Sequence, residues 1–245
     1  MHERLERRMT ARALSVWEKA GASAGALAAL SLGIGYALTR TSAAPLARGD
    51  VEYVRTLLAE RMKWEWVTFA RLLGGILVVW FTSSLADRLR TVEKPPGRVA
   101  EAAFGLGILW AGVWLFSAFF NSASIMLAAD YNDPGGARIA GVLAREIPYV
   151  LTGSVVFTWL LATSFVILRS KGFPKIYAFG TAALTVAVLV LALIDWYGTG
   201  SLSPSIVALA LLWTAATSAV LVAVPAPPMA PALANSRPPA DRSVP

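Results

Sequence analysis

The 245-residue sequence contains no cysteine and a single histidine, His2. Disulfides and thiolate metal sites are therefore excluded, and thiol usage says nothing about redox compartment. His2 lies in the amino-terminal tail, so no hydrophobic segment carries the imidazole needed for Ser–His or Cys–His catalysis or for a histidine-built metal site. Charge is also scarce: 15% of residues are charged, against about 25% in soluble domains. Acidic residues are the rarer sign, 15 against 22 basic.

Apolar residues fill the space that charge leaves. They make up 56% of the chain, and the mean hydropathy is +0.59. They are gathered into uncharged runs at 20–39, 72–86, 102–129, 147–168, 176–194 and 196–236. Only a helix satisfies its own backbone in lipid, and about 20 apolar residues are needed to cross. The sequence therefore predicts an all-α, polytopic membrane protein with six transmembrane helices, at about 20–39, 67–86, 102–126, 147–168, 176–194 and 205–224. A basic tail at 1–19, with Leu5, Met9, Leu14 and Trp17 on one face, precedes them. A proline-rich tail at 225–245, expected to be disordered, follows. The first run exceeds a signal-peptide core and is read as a retained helix.

Counting Lys and Arg on alternate sides gives 14 with the amino-terminal face and 8 with the other, so both termini are predicted cytoplasmic. The basic pI of about 10 thus reports topology in the cell membrane, not nucleic-acid binding.

Local patterns refine this outline. Gly21, Gly25, Ala29, Gly33 and Ala37 form a small-residue row in the first span, suited to close approach by another helix of the same chain. In the longest loop Asp50 is placed as an N-cap, followed by an amphipathic helix with Val51, Val54, Leu58 and Met62 towards the membrane surface. Trp64 and Trp66 fall where an aromatic belt is expected. The stretch 130–136 (Asp-Tyr-Asn-Asp-Pro-Gly-Gly) has turn chemistry and lacks the order of a calcium loop. The fourth span is predicted to begin at Ile147-Pro148, with proline in the first turn. No span then contains an interior proline.

Arg71 is the exception to the apolar rule. The uncharged run at 72–86 covers only about 22 Å, so the second span has to begin near Val67, which carries Arg71 into the membrane. An intramembrane charge is a functional-site hypothesis by default. Asp195, Asp130 and Glu146 close or open spans at the same depth and are the expected partners, Asp195 first. Asn121 could line the same pocket or make an interhelical hydrogen bond. The competing expectation is that Arg71 snorkels to the headgroups, about 7 Å away.

Phe81, Ser84, Leu85, Arg88, Leu89, Arg90 and Glu93 at the end of the second span form one motif. Leu168, Arg169, Pro174 and Gly180, then Trp213 and Ser218, follow it. On these residues the chain from about Asp50 to Val224 resembles uncharacterised six-span membrane proteins of actinobacteria, grouped under domains of unknown function. Lys175 departs from the aromatic or apolar residue more usual after the proline. The resemblance implies a fold and no activity.

The functional expectation is a non-catalytic membrane component, acting through helix packing or contacts with a membrane-protein partner or another copy, with the lipid bilayer around it. No enzyme activity, cofactor or metal is expected. The alternative is a transporter or binding protein for a small solute or anion, with an outward-facing pocket around Arg71. Against it stand the missing interior prolines and midplane carboxylates.

Overall fold

A computed structural model of the chain describes residues 16–40, 49–93, 97–170, 172–197 and 203–224. Residues 1–15 of the predicted tail 1–19, and the predicted tail 225–245, lie outside the described residues, while residues 16–19 are helical and open the first span. Seven helices are present among them: α1 (Val16–Arg40), α2 (Asp50–Ala59), α3 (Arg61–Val92), α4 (Arg98–Ala129), α5 (Pro134–Arg169), α6 (Lys175–Tyr197) and α7 (Ser203–Ala223). All except α2 are long and apolar enough to cross a membrane. The protein is a six-helix transmembrane bundle with one short accessory helix. At 1.5 Å per residue, α3, α4 and α5 are about 48–54 Å long and project well beyond a 30 Å hydrocarbon layer.

The helices α1, α3, α4, α5 and α7 close into a ring, each packed on its neighbour, with α7 returning to α1. Helix α6 sits outside it against α5 and α7. The ring is filled by Phe81 of α3, Trp110 and Trp114 of α4, Trp159 of α5 and Trp213 of α7, all buried. Trp159 is the hub, with ring centroids 5.3 Å from Trp110, 5.0 Å from Trp213 and 6.2 Å from Phe81. Aromatic pairs at these separations add about 0.5–1.5 kcal/mol each beyond area burial, so the plug is a cohesive centre.

The two ends of the bundle are held differently. At the end where α1 begins and α7 finishes, the Ser218 hydroxyl donates to the Ala22 carbonyl. Arg88 donates to the carbonyls of Gly172 (3.4 Å) and Val224 (3.2 Å), and its guanidinium lies over the Phe173 ring. We call this the terminal face. At the opposite face α2 docks by Tyr53 and Leu57 against α4 and α5. The Tyr53 hydroxyl bonds Ser124, Ser124 donates to the Ala137 carbonyl, and Asp50 pairs with Arg138 at 2.7 Å.

Four expectations change. First, the small-residue row is used only in part. Gly21 lies under Ser84 and Gly25 under Phe81, but a side chain at Gly33 would meet nothing within 4 Å, Ala29 is half-buried and Ala37 is exposed. An i+4 row drifts about 40° per step around a 3.6-residue helix, and contact passes to Ala28, Leu32 and Gly35. The partner helix does belong to the same chain, namely α3. Second, the N-cap of α2 is Gly49; Asp50 makes no capping bond and pairs with Arg138 instead. Third, the accessory helix ends at Ala59, so Met62 belongs to α3; Val51 and Leu58 are exposed as expected, and the opposite face, Tyr53 and Leu57, docks on protein. Fourth, α5 begins thirteen residues before Ile147. Pro134 occupies its first turn, the Asp133 carboxylate caps it by accepting from the Gly136 N–H, and Pro148 is interior.

Candidate functional site

The interior position of Pro148 shapes the site. Proline has no N–H and its ring pushes away the carbonyl four residues earlier, so the Ala144 carbonyl loses its intrahelical partner. Without a replacement, that oxygen would be unsatisfied in the membrane at a cost of several kcal/mol. The replacement comes from across the bundle. Ser117 of α4 donates to Ala144 O at 2.5 Å, and Arg71 Nη1 of α3 approaches it at 3.4 Å. A broken helical ladder in α5 and a buried charge in α3 thus meet at one oxygen.

Arg71 is 4% exposed. Its Nη1 donates to Ser117 Oγ at 2.9 Å and its Nη2 to Thr39 Oγ1 of α1 at 3.1 Å. Both hydroxyls spend their own protons on carbonyls, Ser117 on Ala144 and Thr39 on Gly35 (2.8 Å), and so turn lone pairs toward the guanidinium. Arg71 Nε, buried, has no partner. Among the described residues every acceptor of Arg71 is a neutral oxygen, and no carboxylate pairs with it.

The predicted partners are elsewhere. Asp195 is half-buried near the end of α6, outside the ring. Asp130 caps the end of α4 and is exposed, beside an open groove that also contains Arg61 and Glu65. Glu146 pairs with its neighbour Arg145 at 2.5 Å. Snorkelling does not occur either, since the side chain is enclosed by the hydroxyls and carbonyl of three helices.

Asn121, one turn beyond Ser117 on α4, makes the interhelical bond: it donates to Trp64 O at 3.0 Å and to Thr68 Oγ1 at 2.6 Å. With Ser117 and Ser124 it forms a polar stripe at i, i+4 and i+7, which leads from Arg71 to the docked Tyr53. Burial pushes the Tyr53 phenol above its ordinary value, and the bond to Ser124 opposes that rise. A side chain at Gly141 would collide with the Tyr53 hydroxyl.

Arg40 and Arg145 each follow directly in sequence a residue that Arg71 contacts, Thr39 and Ala144. Arg40 donates to the Tyr36 hydroxyl at 3.0 Å, and Glu146 serves Arg145. Both of these guanidinium groups therefore have partners of their own, which Arg71 lacks in charged form. A buried guanidinium whose acceptors are all neutral holds an anion better than a cation or a neutral solute.

Sequence reasoning missed Ser117, Thr39 and Ala144. The serine was legible as part of the Ser117–Asn121–Ser124 stripe. Ala144 followed from Pro148 by subtracting four, once the helix was known to extend past it. Thr39 carried no signal. Compared with protein-family models, curated proteins and solved structures, the chain matches none.

Proposed function

We propose that this multi-pass protein is a non-catalytic binder and carrier of a small anion, held at Arg71. The observation that supports it is a buried guanidinium whose hydrogen bonds all end on neutral oxygens, with Nε unpartnered. A lone buried charge is expensive, and a bound anion supplies the missing countercharge. Of the two features that stood against a transport reading, missing interior prolines and missing midplane carboxylates, the first gives way at Pro148. Location in the cell membrane with cytoplasmic termini is supported by the basic excess on the terminal face, which puts Arg71 on the external side. The likeness to uncharacterised actinobacterial six-span proteins fits this reading and adds no substrate.

The test is thermal unfolding of the detergent-purified chain in sodium bromide against sodium gluconate at equal ionic strength. Bromide is expected to raise the melting temperature saturably, by the equivalent of about 2.7 kcal/mol at one hundred times Kd. Arg71→Gln should abolish the response and Arg71→Lys should retain part of it. Equal curves in the two salts would end the proposal.

A further inference from the structure

We infer that Arg71 is the outer end of a file of hydrogen-bond donors along which a small monovalent inorganic anion of chloride size crosses the bundle. The inference rests on the Arg71 reading above. Among the described residues, and leaving aside Arg88 at the terminal face, six side-chain atoms of α3, α4 and α5 are buried without any hydrogen-bond partner: Arg71 Nε, Trp114 Nε1, Trp110 Nε1, Thr152 Oγ1, Thr82 Oγ1 and Trp159 Nε1. Nearly every buried polar atom in a folded protein is paired, so six orphans on three consecutive helices call for a common cause.

They also fall in register. On α4, Trp114 and Trp110 lie three and seven residues from Ser117, on the face that Ser117 turns to Arg71. Thr82 packs against Gly107, ten residues from Ser117 and eleven from Arg71 along α3. On α5, Thr152 and Trp159 lie four and eleven residues beyond Pro148. The unpartnered atoms span about 16 Å along α3 (Arg71 to Thr82), about 10 Å along α5 (Thr152 to Trp159) and about 6 Å along α4 (Trp110 to Trp114). Ring contacts join members of the file, Trp110 to Trp114 at 6.4 Å and Trp110 to Trp159 at 5.3 Å. Six residues below Thr82, Arg88 lines a cavity of about 130 Å³ on the terminal face with Ser84, Asp87 and Thr91. From Arg71 to Arg88 is about 26 Å, most of the hydrocarbon thickness.

The chemistry selects the sign of the passenger. Guanidinium and indole N–H groups only donate, and hydroxyls can rotate to donate as well. Four of the six atoms can only donate, so a cation finds no more than the two threonine hydroxyl oxygens there. An anion instead finds a donor at each helical turn. The Phe81–Trp159–Trp213 contacts close the file at its inner end and make passage slow.

Chloride efflux from proteoliposomes, driven by a potassium gradient with valinomycin and followed by electrode, tests this. The full-length chain should release chloride at least tenfold faster than protein-free vesicles. Trp114→Phe and Trp110→Phe, which keep the ring and remove the N–H, should each slow efflux at least fivefold. Thr152→Val, isosteric and outside the aromatic contacts, should slow it two- to threefold. Bromide stabilisation through Arg71 should change less than twofold in the same variants. Efflux at protein-free rates while bromide still raises the melting temperature would overturn the path and leave the Arg71 site standing. Unchanged efflux in all three variants would assign the donors to packing or internal water and overturn it equally. Loss of bromide specificity in the unsubstituted chain would remove the site and the path together.

Discussion

Helix α3 carries two buried arginines seventeen residues apart, Arg71 and Arg88, and both donate to main-chain carbonyls of other elements. Arg88 sits at the terminal face, where it ties the turn before α6 to the end of α7 and stacks on Phe173. Water and headgroups lie close by, so its charge is cheap to keep and its bonds serve assembly. Arg71 sits about 7 Å inside the Trp66 belt and depends on a carbonyl that exists as an acceptor only because Pro148 interrupts α5. The same side chain on the same helix is a structural tie at one depth and an uncompensated charge at the other. The difference is dielectric, because what water screens at Arg88 must be offset by specific groups at Arg71.

Substitution to methionine should separate the two roles. Arg71→Met is expected to remove the whole bromide stabilisation, about 2.7 kcal/mol at one hundred times Kd, while shifting bromide-free stability by less than about 1 kcal/mol. Arg88→Met should do the reverse, lowering stability by about 1–2 kcal/mol through its orphaned carbonyls, with the bromide response intact. Chemical or thermal unfolding with and without bromide reads both. A bromide response lost in both variants would erase the contrast.

A smaller effect is expected at the broken ladder. Pro148→Ala restores an N–H that competes for Ala144 O, so the bromide-free protein should melt higher by about 1 kcal/mol. Arg71, released from its weak 3.4 Å contact, should bind bromide roughly threefold more tightly. Titration by melting temperature measures both shifts, and an unchanged Kd would mean that the carbonyl does not compete with the anion.

The smallest effect concerns the lid-like α2. Because burial raises the Tyr53 phenol, its docking contribution is complete below about pH 10 and is lost as pH rises through the folded value. With no native cysteine, a fluorophore at Val51→Cys (an exposed position) would report the alkaline release of α2. Tyr53→Phe should abolish that step and speed bromide access to Arg71. A release profile identical in Tyr53→Phe would exclude the phenol as its cause.

The membrane architecture was legible in the sequence because lipid imposes a one-dimensional rule: a long uncharged run is a buried helix, whatever its neighbours. That rule located all six spans and singled out Arg71 as the charge needing an explanation. It misplaced the start of α5, since Ala137, Arg138 and Arg145 continue the helix outside the hydrocarbon layer, where hydropathy gives no signal. It also drew Arg71 towards Asp195, because like depth is all that a linear reading offers. Depth does not say which helices are neighbours, and α6 stands outside the ring.

By itself the sequence determined the number of crossings, the excess of positive charge on one face and the presence of a single deep arginine, each fixed by composition along the chain. The tertiary structure decided what that arginine touches. Ser117, Thr39 and Ala144 lie 46, 32 and 73 residues away in sequence, and their meeting depends on helix order around the ring. Hydrogen bonds act over about 3 Å, and no periodicity along a chain encodes a separation of that kind between distant segments.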